Sequence, residues 1–297
     1  MELRPYCEAG LPELVSLLNR AYRGSRYEFI PYTEEKLRAE LEGAGSVLLA
    51  TNEQGRIIGL ALLRQEWYGE EVMLCARPGP KRQEIEASLL PAIEREAQTG
   101  RVIALVDAED QEGLTFFSSR GYQPESGFYQ MVAELDRTRP LPPVPKGYLL
   151  RSLKSREEEA LIRLVNAAYQ GERLRSGVLA RWKAEDPSFN EEWVQVAEYE
   201  GELVAAVVAR TDREFNEHYH ANRGYLGPAA TLPVHQGKGL GKALTARAMD
   251  LLRERGIQAV CLYTWEGNAA ALRVTKDLGF RIGHQWKILV KSVRALL

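Results

Sequence analysis

The residue types best suited to chemistry lie together in one glycine-rich segment, residues 231–242. It reads Thr-Leu-Pro-Val-His-Gln-Gly-Lys-Gly-Leu-Gly-Lys, and its three glycines within five positions expose successive backbone N–H groups. A helical pattern begins where the segment ends, so the positive end of a helix dipole and Lys238 or Lys242 would join those N–H groups. Such a set favours an anion, above all a pyrophosphate, although glycine-rich turns also occur without a ligand.

The segment differs from two common phosphate-binding loops. It is not Gly-x-x-x-x-Gly-Lys-Ser/Thr, and no acidic residue at the right distance completes a dinucleotide-binding fingerprint. Both differences argue against a nucleoside triphosphatase.

The order of residues in this segment resembles the acetyl-CoA loop of the GCN5-related N-acetyltransferases, the GNAT family. That loop reads Arg/Gln-x-x-Gly-x-Gly/Ala, usually with a proline three residues before the Arg/Gln. The matching positions are Pro233, Gln236, Gly239 and Gly241. The resemblance implies acetyl-CoA as co-substrate, no metal, and direct acetyl transfer to a primary amine of a small molecule or peptide.

A second motif of the same family follows the first in the expected order. The family pattern is Asn-x-x-Ala, a Tyr four residues on, and Gly-Phe; here it is matched by Asn268, Ala271 and 279–280, with Thr275 at the Tyr position. In many family members that tyrosine protonates the leaving thiolate, whereas a threonine hydroxyl is too weak an acid and can only donate a hydrogen bond. The alternative interpretation is therefore a non-catalytic protein that binds or senses acyl-CoA.

The resemblance also implies an α/β fold in which each of two tandem domains has a splayed mixed sheet flanked by helices. The pantetheine arm would lie between the strand that ends at residues 229–231 and the strand 259–264. By this resemblance the cofactor-binding residues are Ala229, Ala230, Thr231, Gln236, Gly237, Lys238, Gly239, Leu240, Gly241, Lys242, Asn268 and Ala271.

Several side chains are candidates for the proton transfers. An alkylamine with a pKa of about 10.4 is only about 0.04% deprotonated at pH 7, so a base, a water chain or a desolvating pocket must help. Glu198, His235 and Glu266 are candidate bases, each with a structural or solvated side chain as the alternative, and Glu198 is preferred because it interrupts an apolar strand. Tyr263 or a water could supply the proton that Thr275 cannot, although the Tyr263 hydroxyl could equally belong to a half-buried ring.

The elements that position these residues follow from hydrophobic periodicity. We expect a hairpin turn at Glu200-Gly201. We also expect a long helix that follows the glycine-rich loop and ends at Gly256, and a second helix from Asn268 to Asp277. We also expect His218 and His220 on one strand face, where two imidazoles without further ligands argue against a metal site. The resemblance implies that Phe215, His218, His220 and Tyr225, in or after a polar connection between strands, lie where the acceptor pocket forms. The predicted strands are 148–152, 194–199, 203–209, 224–231 and 259–264.

The chain repeats itself at a constant offset. Leu3-Arg4 recurs as Leu150-Arg151, an offset of 150 − 3 = 147, and Ala21-Tyr22 recurs as Ala168-Tyr169 at the same offset. Tandem members of the family include mycothiol synthase-like enzymes. We therefore predict a degenerate GNAT-like domain over 1–139, a proline-rich linker over 140–147 and a catalytic GNAT domain over 148–297.

The first half departs from the family at the loop. An offset of 155 sets Glu84 and Glu86 against Gly239 and Gly241, so two carboxylates take the place of glycines that would face a pyrophosphate. Because like charges repel, we predict that the first domain has lost acetyl-CoA binding and serves as a scaffold or as a wall of the acceptor cleft.

Composition sets the remaining limits. The chain has 297 residues with 39 Lys+Arg against 41 Asp+Glu, which argues against a nucleic-acid partner. The absence of a long apolar run and of a secretory start leads us to expect no membrane partner and a cytoplasmic location. We expect a monomer or homodimer, with Cys75 and Cys261 as buried thiols.

Overall fold

The structure is a computed structural model that describes residues 1–66, 69–138 and 140–294. It divides into two compact units: Met1–Phe128 with Gln285–Leu297 form the first, and Tyr129–His284 the second. The domain boundaries predicted at 139 and 148 come from the repeat in the sequence, whereas these two units are defined by contacts in space. The predicted boundaries therefore stay a prediction. Arg139 and residues 295–297, at the ends of the two predicted domains, lie outside the described residues.

Strands and helices alternate along the whole described chain, which confirms the mixed α/β class. The elements up to the end of the first repeat are β1 (Glu2–Pro5), α1 (Leu11–Tyr22), α2 (Glu34–Glu42), β2 (Ser46–Thr51), β3 (Ile57–Glu66), β4 (Gly69–Ala76), α3 (Arg82–Glu94), β5 (Arg101–Asp107), α4 (Gln111–Ser118) and β6 (Gln123–Glu134). The second repeat contributes β7 (Tyr148–Ser152), α5 (Glu158–Tyr169), α6 (Val178–Glu185), β8 (Val194–Tyr199), β9 (Glu202–Thr211), α7 (Arg213–Tyr219), β10 (Arg223–Thr231), α8 (Leu240–Glu254), β11 (Ala259–Trp265), α9 (Ala269–Asp277) and β12 (Arg281–Ser292).

The first unit has the strand order β1-β2-β3-β4-β5-β12. The last strand of this order comes from the end of the chain, far in sequence from its neighbour β5. Residues 286–292 of β12 pair antiparallel with β5, from Trp286 opposite Asp107 to Ser292 opposite Arg101. The buried Glu94 carboxylate joins this strand to α3, because Lys291 Nζ donates to both its oxygens at 2.9 and 2.7 Å. Tyr122 adds a further hydrogen bond to Glu94 at 2.9 Å.

The second unit has the strand order β6-β11-β10-β9-β8-β7. Its core is continuous from α5 across β8, β9 and β10 to α8, and the buried face of α8 follows helical spacing, as the sequence predicts. The β8–β9 hairpin turns at Glu200 and Gly201, with φ of 51° and 85°. Helix α8 ends before Gly256, which has a φ of 81°, a left-handed conformation that glycine adopts with little strain. The predicted hairpin and helix end are confirmed.

The segment that carries His218 and His220 is the exception. It was expected to be a strand, but it forms helix α7, with His218 in the last turn and His220 just past it at a φ of 52°. The reason is local polar bonding: Arg213 pairs with Glu217 one turn on at 2.7 Å. The Asn216 side chain then bonds both backbone groups of Arg223, which closes the helix onto the start of β10.

Two further properties concern the chain as a whole. Cys75 and Cys261 are buried thiols, which confirms that expectation. Over 1–66, 69–138 and 140–294, the structure contains no helix of the length and hydropathy that a membrane crossing requires.

Candidate active site

The sheet of the second unit opens between β10 and β11. These parallel strands pair only from Arg223 opposite Ala259 to Tyr225 opposite Cys261, although β10 continues to Thr231 and β11 to Trp265. On its other edge β10 stays paired, from Ala229 opposite Val207 to Thr231 opposite Ala205. One backbone edge of the end of β10 is therefore left facing the gap, where an extended ligand can bond in the manner of an added strand.

The loop after β10 presents backbone N–H groups at the entrance to α8. Gly237 and Gly239 have φ of 74° and 78°, in the left-handed region that side chains other than glycine rarely adopt. Gly239 is the N-cap and supplies no side-chain hydrogen bond, so the first N–H groups of α8 lack a partner from the cap. A Cβ atom at Gly241 would meet nothing within 4 Å. The entrance is thus open and carries the positive end of the helix dipole.

The polar side chains of the loop have different partners. Gln236 Nε2 donates to the Thr231 carbonyl at 3.1 Å and ties the loop to the strand end. Lys238 is exposed, and its ammonium donates to the Val234 carbonyl at 3.0 Å. Lys242 instead forms an ion pair with Asp277 at 2.8 Å, and this contact lowers the pKa of Asp277. Lys238 is therefore the better-placed charge for an anion.

An aromatic cluster supports the first turn of the loop. His235 Nδ1 and the Tyr148 hydroxyl are 2.8 Å apart, and the rings of Tyr148 and Tyr199 pack against the imidazole at centroid distances of 5.7 and 5.3 Å. The predicted candidate His235 thus joins the loop to β7 and β8.

Tyr169 at the end of α5 was not singled out by the sequence as a site residue. Its hydroxyl donates to the Ala229 carbonyl at 3.0 Å, on the strand that borders the gap. Of the two predicted alanines, Ala229 is exposed and Ala230 is buried. The available signal was the repeat itself, because Tyr22 occupies the equivalent position in the first half.

Tyr225 and Tyr263 lie where the two strands part. Their ring centroids are 6.2 Å apart, and Tyr263 is 47% exposed while burial raises the pKa of Tyr225. Gln130 Nε2 donates to the Tyr263 hydroxyl at 3.2 Å. Tyr225 was expected near the acceptor pocket, and its position at the opening follows from where the pairing of β10 with β11 stops.

Helix α9 holds the second motif. Asn268 is its N-cap, and its Oδ1 accepts from the Ala271 N–H at 3.1 Å, which confirms the predicted cap. Thr275 is only 3% exposed, and its hydroxyl donates to the Leu272 carbonyl at 3.1 Å. The single hydroxyl proton of Thr275 is thus already engaged inside the helix.

Glu198 lies apart from the opening. Its Oε2 accepts from Arg151 Nε and Nη2 at 2.9 and 2.7 Å, and the same guanidinium holds Glu157. In the β8–β9 register Glu198 is opposite Leu203, two residues beyond the partner of Thr231. Strand β10 extends about 20 Å from Tyr225 to Thr231. Glu198 lies near the Thr231 end of β10, next to the loop, and Tyr263 lies near the Tyr225 end, where the two strands part.

The structure therefore brings the loop residues and the end of β10 together, with α9 beside them, but it does not bring Glu198 to Tyr263. Among the described residues, no group of three or more His, Cys, Asp or Glu side chains is arranged to hold a metal ion.

Comparisons with known proteins agree on one family. Residues 158–280 match a model described as the acetyltransferase (GNAT) family. A mycothiol acetyltransferase from Salinispora arenicola is 30% identical over 221 residues, which cover 71% of this chain and 70% of that one.

Solved structures show the same fold. A GCN5-related N-acetyltransferase from Sphaerobacter thermophilus aligns with a TM-score of 0.72 at 19% identity, over 100% of this chain and 96% of its own. A tandem GNAT protein from the clavulanic acid biosynthesis pathway aligns with a TM-score of 0.66 at 17% identity, over 100% and 99%. The fold is thus a tandem GNAT fold, and the identity to the Salinispora protein shows that this chain belongs to the acetyltransferase (GNAT) family and is an acyltransferase of the N-acetyltransferase class.

Proposed function

We propose that the second unit transfers an acetyl group from acetyl-CoA directly to a primary amine of a small molecule or peptide. Enzymes of this family use acetyl-CoA as co-substrate. The observation that carries the proposal is the unpaired edge of β10 beyond Tyr225, which leads directly into a glycine loop and an uncapped helix N-terminus. An edge that bonds an extended arm and amides that bond an anion are the two features that a CoA ester needs.

The donor would lie along β10 with its pyrophosphate on the loop. The backbone of Ala229, Ala230 and Thr231 borders the gap, and residues 236–242 supply the amides and the Lys238 charge. Asn268 and Ala271 open α9 on the β11 side. Gln236 acts indirectly in this arrangement, because its amide holds the loop to Thr231.

The reaction is a direct displacement. The neutral amine nitrogen attacks the thioester carbonyl carbon, a C–N bond forms, and the C–S bond breaks with its electron pair going to sulfur. The amine loses one proton and the thiolate gains one. We assign the second proton transfer to Tyr263, directly or through water, because it is exposed at the opening while the Thr275 hydroxyl is engaged with Leu272.

The acceptor would approach the opening from the side of Tyr225 and Tyr263. These two phenol rings offer apolar faces with hydroxyl groups, which suits an acceptor that carries both ring or alkyl surface and polar groups. Because the curated relatives include mycothiol acetyltransferases, the acceptor of those enzymes is the first amine to test.

The test combines binding and turnover on the full chain. Calorimetric titration with acetyl-CoA should give saturable binding, and thiol release should depend on the amine supplied from a panel. Binding without thiol release for any amine would favour the non-catalytic acyl-CoA-binding function. No binding of acetyl-CoA would overturn the proposal.

A further inference from the structure

One basic side chain of the second unit lies beside the opening between β10 and β11 and has no part in the proposed transfer. Arg210 of β9 is opposite Tyr225, the last residue of β10 that pairs with β11. Side chains that are opposite each other in an antiparallel pair lie on one face of the sheet. The neighbouring Gly224 belongs to the other face, since a Cβ atom there would lie 2.8 Å from Leu252 of α8. Arg210 therefore shares the face of Tyr225, from which the acceptor would approach.

Two aromatic rings hold the Arg210 guanidinium in place. Its central carbon lies 5.4 Å from the ring centroid of Trp182 in α6 and 5.4 Å from that of Tyr225. Trp182 is buried in the core of the second unit, so its ring is fixed. A cation–π contact uses the positive charge of the guanidinium and none of its N–H donors. The rings thus set the position of the group and leave its hydrogen-bonding capacity intact.

The protein itself uses little of that capacity. Of the five N–H donors of a guanidinium, one on Arg210 Nη1 lies 3.4 Å from Glu185, whose side chain is 56% exposed, and such open ion pairs contribute little. Arg210 Nε is buried without a hydrogen-bond partner among the described residues. Arg151 in the same unit is different, because it donates to Glu157 and Glu198 at 2.7 to 2.9 Å. Arg210 therefore lacks the acceptors that a structural arginine of this unit has.

The other carboxylates near the ends of β9 and α6 have different partners. Asp212 Oδ2 accepts from Arg223 Nε and Nη2 at 2.9 and 2.7 Å. Asp186 accepts from the Thr211 hydroxyl. Over the part of the chain that the structure describes, Glu185 is thus the one carboxylate that pairs with Arg210.

We propose that Arg210 selects acceptors that carry a carboxylate in addition to the primary amine. This inference rests on the proposed acetyl transfer and specifies its acceptor. The guanidinium binds the carboxylate in the bidentate manner that suits this pair of planar groups, and the carboxylate displaces Glu185. The rings of Tyr225 and Tyr263 cover the ring or alkyl chain that joins the carboxylate to the amine, so that the amine lies at the opening.

The experiment measures thiol release by the full chain with two amines of the same shape, 4-(aminomethyl)benzoate and 4-(aminomethyl)benzamide. Because only the benzoate carries a negative charge, its kcat/KM should be higher by about tenfold or more. Arg210→Gln should remove this preference through a higher KM for the benzoate. Arg210→Lys keeps the charge but loses the bidentate geometry, and it should restore part of the preference.

Two further variants separate selection of the acceptor from a structural role. Glu185→Gln removes the carboxylate that competes for Arg210, so it should lower KM for the benzoate by about twofold or more. A purely structural ion pair would not produce this gain. The matched control is Arg181→Gln, because Arg181 is an exposed residue of the same helix as Trp182 and Glu185. This variant should leave the preference unchanged.

The outcomes distinguish this inference from the proposed function. Equal kcat/KM for the two probes, a preference that survives Arg210→Gln, or an equal loss in the Arg181 variant would overturn the inference and leave the transfer standing. If neither probe is acetylated, calorimetric titration of the benzoate in the presence of CoA decides. Binding that Arg210→Gln abolishes would support the inference, and absence of binding would overturn it.

Thiol release with other amines would in that case keep the proposed function, whereas its absence with every amine would overturn that function. Thermal unfolding of all variants, followed by circular dichroism, separates lost binding from lost folding.

Discussion

The two halves of this chain contain the same opening between parallel strands, but the residues at the start of the helix that follows the opening differ. In each unit a parallel pair of strands parts after two or three residue pairs, and a tyrosine at the end of the first α-helix of the repeat donates to the parted strand. Tyr22 bonds the Leu74 carbonyl at 3.4 Å, and Tyr169 bonds the Ala229 carbonyl at 3.0 Å. Even the caps correspond, since Asp110 opens α4 as Asn268 opens α9.

The difference lies in the turn that follows the parted strand. In the second unit Gly239 precedes the first residue of α8, whereas in the first unit Lys81 precedes α3 and Glu84 and Glu86 lie within that helix. The frame that opens a sheet is thus separable from the groups that select what enters the opening. A duplicated fold can keep the first while it changes the second.

The largest expected effect comes from making the second unit resemble the first. Gly239→Glu forces a side chain into a φ of 78° and adds a carboxylate at the helix N-terminus. Strain of about 1–2 kcal/mol and like-charge repulsion together should weaken acetyl-CoA binding by about a hundredfold or more in calorimetry. Gly239→Ala carries the strain without the charge and should lose about tenfold. Equal losses in both variants would show that charge does not distinguish the two units.

The next effect concerns the proton donor at the opening. Tyr263→Phe should lower kcat by about tenfold to a hundredfold, measured as thiol release at saturating acetyl-CoA, with KM for acetyl-CoA little changed. Thr275→Val is the matched control, because it removes a hydroxyl that is already bonded to Leu272, and kcat should change by less than about twofold. The opposite ranking would return the role of acid to Thr275.

A smaller effect separates the two lysines of the loop. Lys238→Gln should weaken acetyl-CoA binding by about fivefold, because its exposed ammonium contacts the uncharged Val234 carbonyl and Tyr148 ring and keeps its positive charge available to an anion. Lys242→Gln should weaken it by only about twofold, since Asp277 already offsets that charge. Calorimetry at low and high salt measures both, and a larger loss for Lys242 would mean that the ligand displaces Asp277.

The smallest effect is expected at Glu198. If its carboxylate serves Arg151, Glu198→Gln should lower the free energy of unfolding by about 1 kcal/mol and leave the pH profile of kcat unchanged. A base would act differently, because its loss should reduce kcat more at low pH than at high pH. Thermal unfolding and a pH series of thiol release on the same variant decide between the two.

Local features of the site were predictable from the sequence. Glycines at the turn, the Asn268 cap and the apolar face of α8 each depend on neighbours a few residues away. The Glu198 contact depends on Arg151, which is distant in sequence, and the opening depends on where the β10–β11 pairing stops. Neither leaves a periodic pattern, so Tyr169 was missed, and Tyr225 was expected near the acceptor pocket from the family resemblance alone. Helix α7 was mistaken for a strand because its polar bonds replace an apolar face.

The pairing of β12 with β5 has a consequence for synthesis on the ribosome. The second unit is one continuous stretch, so all of its strands are available once residue 284 has emerged. The first unit, although it begins the chain, must wait for residues 286–292 before β5 gains its antiparallel neighbour and Glu94 gains Lys291. The first unit is therefore translated first but completed last. A gene fragment that stops after the first repeat would encode β5 without its antiparallel neighbour β12.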